Sequence, residues 1–119
     1  MNMNAIRYIE PAALHDEMLR LRQEEQMDFL ECLTGMDWGE TTDKDTPDTP
    51  RGLGVVYHLE STTTGERLVV RTATLDRKNA ELPSVSDIWK AADFLEREVY
   101  DFYGIVFIGH PDMRRLYLR

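Results

Sequence analysis

Val55-Val56-Tyr57-His58-Leu59-Glu60, then Ser61-Thr62-Thr63-Thr64-Gly65-Glu66, then Arg67-Leu68-Val69-Val70-Arg71-Thr72-Ala73 is the stretch that decides the fold. Two runs rich in β-branched and aromatic residues flank a polar connection that contains one glycine. This pattern predicts two strands joined as a hairpin, with Gly65 supplying a positive φ. Upstream, Pro11 is a favourable first residue of a helix, because its missing N–H has no partner to lose there. Leu14, Met18 and Leu21 follow at helical spacing and form one apolar stripe, with Asp16, Glu17, Arg20 and Arg22 off it. Around Met27 to Thr34 the pattern becomes strand-like, and Gly35-Met36-Asp37-Trp38-Gly39 is expected to break it.

Between Glu40 and Pro50 the composition changes to Glu-Thr-Thr-Asp-Lys-Asp-Thr-Pro-Asp-Thr-Pro, which offers nothing to a core and is predicted to be a mobile surface loop at about 40–51. After the hairpin, Asp76 to Pro83 reads as a turn region. A second helix is then expected from a cap at Ser84 or Ser86, with Asp87 in its first turn, to about Tyr103, stopped by Gly104. Ile105 to Ile108 reads as a short strand. The element order α-β-β-β-α-β predicts an α+β domain over residues 1–119, a small, mainly antiparallel sheet with two helices on one face.

The chain has 119 residues, enough for one domain that needs no disulfide staples. Its net charge of -8 opposes a surface built for nucleic acid or anionic lipid. Cys32 is the only cysteine, so this chain alone can form no disulfide, zinc ribbon or iron–sulfur cluster. No apolar run approaches the roughly 20 residues of a membrane span, and the first residues lack the apolar core of a signal peptide. His15, His58 and His110 lie far apart, Gly52-Leu53-Gly54 is no dinucleotide fingerprint, and no nucleophile arrangement is visible. No catalytic, cofactor-binding or metal site is therefore predicted.

The second helix carries the unusual residues. At 100° per residue, Ile88, Ala91, Leu95, Val99 and Phe102 share one face, with Trp89, Ala92, Glu96, Tyr100 and Tyr103 as the adjacent stripe. Glu96 thus sits beside an apolar arc and needs a partner. A proton carrier or catalytic acid is one reading of it. An ion pair from Glu96 or Asp101 to Arg114 or Arg115, fastening the tail to the helix, is the structural one. Phe94 lies among Lys90, Arg97 and Asp101 on the face expected to be wet. It is either one more exposed aromatic or an interface anchor.

The run from Pro83 through Glu96-Arg97-Glu98, Tyr100-Asp101 and Gly104, with Gly109-His110-Pro111-Asp112 and Arg114-Arg115-Leu116 behind it, closely resembles the signature of the C-type subunits of the proton-pumping NADH:quinone oxidoreductase, complex I. Asp28-Phe29-Leu30, Gly35-Met36-Asp37-Trp38 and Val55 to Leu59 are similar to the looser first half of that family. The resemblance implies a scaffolding component of the peripheral arm, on the cytoplasmic side of the bacterial inner membrane. It implies packing against the D-type quinone-site protein, near the protein that holds the terminal iron–sulfur cluster. FMN, iron–sulfur clusters, NADH and quinone are implied for the complex and none for this chain. Family members usually continue past the position of Arg119, so a shortened form or the front of a C–D fusion is expected. Alternatives are the equivalent component of a membrane-bound nickel–iron hydrogenase or F420H2 dehydrogenase, and a stand-alone protein-binding module.

Overall fold

The computed structural model describes residues 5–39 and 50–111. In chain order the elements are β1 (Ala5–Tyr8), α1 (Pro11–Glu24), β2 (Phe29–Asp37), β3 (Leu53–Glu60), β4 (Arg67–Thr74), β5 (Glu81–Pro83), α2 (Ala92–Tyr103) and β6 (Val106–Ile108). The main sheet has the order β1-β4-β3-β2. β2, β3 and β4 are antiparallel, and β1 lies parallel to β4 at the edge. β5 and β6 form a separate parallel pair, with α2 as the connection between them.

The expected α+β class, the mainly antiparallel sheet and the two helices are all present. In the hairpin, Gly65 has φ +82° and its N–H donates to Ser61 O at 2.8 Å. Asp28 closes the loop from outside by accepting from the Thr62 N–H at 2.9 Å and the Thr62 hydroxyl at 2.6 Å. Those bonds hold the Asp28 carboxyl below its ordinary pKa. Pro11 opens α1, and Gly104 ends α2 in the left-handed region with its N–H on Tyr100 O.

One sheet face is dry. Leu53, Val55, Tyr57 and Leu59 on β3, with Leu68 and Val70 on β4, alternate inward and share a core with Leu14, Met18 and Leu21 of α1 and Ala92 and Val99 of α2. Both helices thus cover the same face. Gly35 lets α2 come close: a Cβ there would stand 2.4 Å from the Tyr103 ring.

Element boundaries differ from expectation, and two strands are additional. β2 continues through Gly35 and Met36 to Asp37, because those residues pair with Val55, Gly54 and Leu53 of β3. β1 and β5 are additional strands, so the order becomes β-α-β-β-β-β-α-β. The last strand begins at Val106, one residue later than expected. The second helix begins at Ala92, and Ser84 to Ala91 form a chain of turns instead of its first two turns. Most of the expected loop at 40–51 lies outside the described residues. At its feet, Trp38 N–H donates to Gly52 O at 2.9 Å and Gly52 N–H to Gly39 O at 2.6 Å.

Candidate functional site

The turns from Ser84 to Ala91 form a strap between β5 and α2, and it is tied at four points. Trp89 is buried and its indole N–H donates to Met27 O at 3.0 Å. Arg22 donates to Ile88 O. Asp87, expected in a first helical turn, instead meets His15 Nε2 of α1 at 2.8 Å. The fourth tie is Glu96, which enters from α2.

Glu96 has no exposed surface. Its Oε1 accepts from the Ser84 hydroxyl at 2.7 Å and its Oε2 from the Val85 backbone N–H at 2.8 Å. Burial nevertheless dominates and pushes its carboxyl up to about 7, against those two hydrogen bonds. Ser84 Oγ also lies 2.8 Å from Ser86 Oγ. Of the two serines expected as helix caps, Ser84 therefore holds the strap to α2 and Ser86 bonds Ser84. Tyr57 reaches this region from β3, fully buried, with no hydrogen bond to its hydroxyl among the described residues. Burial, reinforced by the negative charge of Glu96, raises its pKa well above the phenol range.

A second contact lies about one turn before Glu96, at the start of α2. The His110 side chain is buried, with Nε2 at 2.9 Å from Asp93 O and 3.0 Å from Asp93 Oδ1. Gly109, at φ +93°, makes the turn that brings it there. The stretch Gly109-His110-Pro111 is thus fastened to the first turn of α2.

The remaining signature residues divide. Arg97 is half-buried and stands 3.8 Å from Asp93. Glu98 is exposed, and Tyr100 and Asp101 are half-buried on α2. Gly104 ends the helix and Pro111 is exposed. Asp112, Arg114 and Arg115 lie outside the described residues, as does the expected ion pair to the arginines. Both Glu96 oxygens accept from Ser84 and Val85.

The helical face also differs from the wheel. Residues 92, 96 and 99 are buried and Tyr103 packs beside them, so the inward line takes Ala92, Glu96 and Tyr103 from the second stripe and Val99 from the first. Phe94 is 51% exposed, and Phe102, expected inside, is 81% exposed. The Phe102 ring stands edge-on to Tyr103 with centroids 4.8 Å apart. Spacing alone could not show the Ser84 and Val85 contacts, because one donor is backbone and both come from a strap read as helix.

No three His, Cys, Asp or Glu side chains among the described residues are placed to hold a metal ion. His15, His58 and His110 lie on α1, on β3 and past β6. With one cysteine in the sequence, the donor set does not fit an iron–sulfur cluster. No helix among the described residues is long and apolar enough to cross a membrane.

The described residues thus form a mainly antiparallel four-stranded sheet with a helix tied to its strap by a buried carboxylate. Residues 7–119 match the family described as the respiratory-chain NADH dehydrogenase 30 kDa subunit, and the chain belongs to that family. It is 74% identical over 117 residues to the combined C/D subunit of NADH-quinone oxidoreductase from Bacteroides fragilis, a match covering 98% of this chain and 22% of that protein. To the C-type subunit of the same oxidoreductase from Chloroherpeton thalassium it is 39% identical, over 81% of this chain and 37% of the relative. The chain therefore spans about a fifth of the C/D relative's length. A trypsin-resistant fragment of Nqo5 superposes with a TM-score of 0.75 at 35% identity, over 88% of this chain and 79% of the fragment. A chain of an archaeal membrane-bound sulfane sulfur reductase superposes with a TM-score of 0.74 at 26% identity, over 99% of this chain and 65% of its own.

Proposed function

We propose that this chain is a scaffolding part of the peripheral arm of NADH:quinone oxidoreductase, on the cytoplasmic side of the membrane. In this reading it packs against the D-type quinone-site protein, near the protein that holds the terminal cluster. It supports electron transfer from NADH to quinone without carrying a redox group. The observation that carries the reading is identity of 74% along nearly the whole chain to a combined C/D protein. The sulfane sulfur reductase match supports use of the same fold in another respiratory membrane complex. Its 26% identity favours that reading far less.

FMN, clusters, NADH and quinone would belong to the neighbours, and this chain's residues would position surfaces. The docking surface is α2 with the turn after it. Phe94 and Phe102 are both exposed there, about two turns apart on the helix, and permanent interfaces rest on a few aromatic anchors. Co-expression with the D-type neighbour and affinity capture tests the proposal. Phe94→Ala should lower capture by about tenfold, the size of a loss of ~1.4 kcal/mol, and leave the melting temperature in place. Unchanged capture by both Phe94→Ala and Phe102→Ala would place the interface elsewhere.

A further inference from the structure

Among the described residues no element covers the sheet face turned away from the helices, where apolar residues surround Arg71 and the Glu60–Arg67 pair closes one end. Its cross-strand rows are Ile6, Val69, His58 and Cys32, then Tyr8, Arg71, Val56 and Thr34, then Ala73, Gly54 and Met36. Ile6 is 62% exposed, Tyr8 44% and Met36 37%, while the residues between them are mostly half-buried. Contiguous exposed apolar surface of this kind marks an interaction site on a water-soluble face.

Arg71 stands at the centre of the middle row. Its Nε is shielded from solvent and has no hydrogen-bond partner, and no ion pair reaches its guanidinium among the described residues. Glu60, at the end of the face, stands 3.8 Å from Arg67. Arg71 is half-buried and only its Nε is shielded, so its terminal nitrogens remain open to a carboxylate brought in by a partner. The chain as a whole carries -8, so this positive centre is local and opposite in sign to the rest.

We infer that this open sheet face docks a polypeptide segment of the complex outside residues 1–119, with apolar side chains flanking an aspartate or glutamate that pairs with Arg71. The inference rests on the scaffolding reading but uses the face opposite α2. A second copy of the chain fits poorly, because a two-fold contact of this face would set one Arg71 against the other. Charge complementarity sets the orientation, and Ile6, Tyr8, Val56 and Met36 supply the apolar area.

The test uses the full chain within the purified membrane complex. p-Benzoylphenylalanine replaces Tyr8 in one sample and Thr63, on the exposed hairpin loop, in a control. The Tyr8 probe should crosslink to a segment outside residues 1–119 that carries an acidic residue, and the Thr63 probe should not give that product. Arg71→Glu should reduce the Tyr8 crosslink by at least about tenfold, and Arg71→Lys by much less. Crosslinking to a second copy, to residues 40–49 of the same chain or to lipid, or no crosslink, overturns the inference, as does an unchanged yield with Arg71→Glu. Should Arg71→Glu also lower the melting temperature, the identity of the crosslinked peptide with Arg71 intact decides. If the unsubstituted chain fails to co-purify with the complex, the scaffolding reading falls as well. If it co-purifies and the Tyr8 probe stays silent, only this inference falls.

Discussion

Glu96 shows how one residue can tie stability to pH. Its carboxyl titrates near 7 in the fold against an ordinary 4.5, because burial opposes the charge more than Ser84 and Val85 favour it. Its contribution is complete below about 4.5 and is lost as the pH rises through about 7. The linkage amounts to about 3 kcal/mol by pH 8. Melting temperature should therefore fall between about pH 4.5 and about pH 7, and Glu96→Gln should flatten that slope; an identical slope in the variant would refute the assignment. Asp37 runs the other way. Its bonds from Arg77 and the Gly39 N–H hold its carboxyl at about 2, so its contribution is lost as acid approaches that value. The sequence showed Glu96 beside an apolar arc and its need for a partner. It could not show which partner, since a backbone N–H carries no residue-type signal. Gly35 offers a steric counterpart. An alanine there must push Tyr103 aside, and Gly35→Ala should cost about 1–3 kcal/mol in denaturant unfolding.

Among the elements, the strap from Ser84 to Ala91 is where local signals and tertiary contacts part company. Two serines and an aspartate before an apolar run look like a helix start. Here Ser84 bonds Glu96, Asp87 bonds His15, and Trp89 turns inward to Met27. Each of those partners lies far off in sequence, so the competing structure left no local mark. The strap should behave as part of the core. Trp89→Phe keeps most of the apolar volume and strands the buried Met27 carbonyl, at a cost of about 1–3 kcal/mol in thermal or denaturant unfolding. A loss near zero would mean that water replaces the indole N–H. The hairpin was legible because its signals are adjacent: alternating apolar residues on β3 and β4 and a glycine in the connection. The stripe of α1 was legible for the same reason. β1 was not, because all four of its residues are exposed and show no burial pattern. The short parallel strand β5 depends on β6 beyond the whole of α2.

For the whole molecule, one sheet face is filled by two helices, and among the described residues no element covers the other, where Arg71 lies. A scaffold with two usable sides can sit between neighbours, and the two proposed contacts are separable. Phe94→Ala and Arg71→Glu act on opposite faces, far enough apart for independent effects. In assembly assays their losses should add on a logarithmic scale, and strong non-additivity would show that both residues serve a single contact.

The parallel placement of β1 carries a consequence for the order in which the chain folds. Ala5 pairs with Leu68 of β4, so this edge closes only across the intervening α1, β2 and β3. Closing so long a loop costs entropy that local hairpin formation does not, and β1 brings almost no buried surface to offset it. The Ala5–Tyr8 segment is therefore the last to join and the first to detach. Its backbone protons should exchange with solvent well before those of β3 and β4. Because Ile6 and Tyr8 belong to the open face, a bound partner would also clamp this strand, and slowed exchange at β1 would report occupancy of that face.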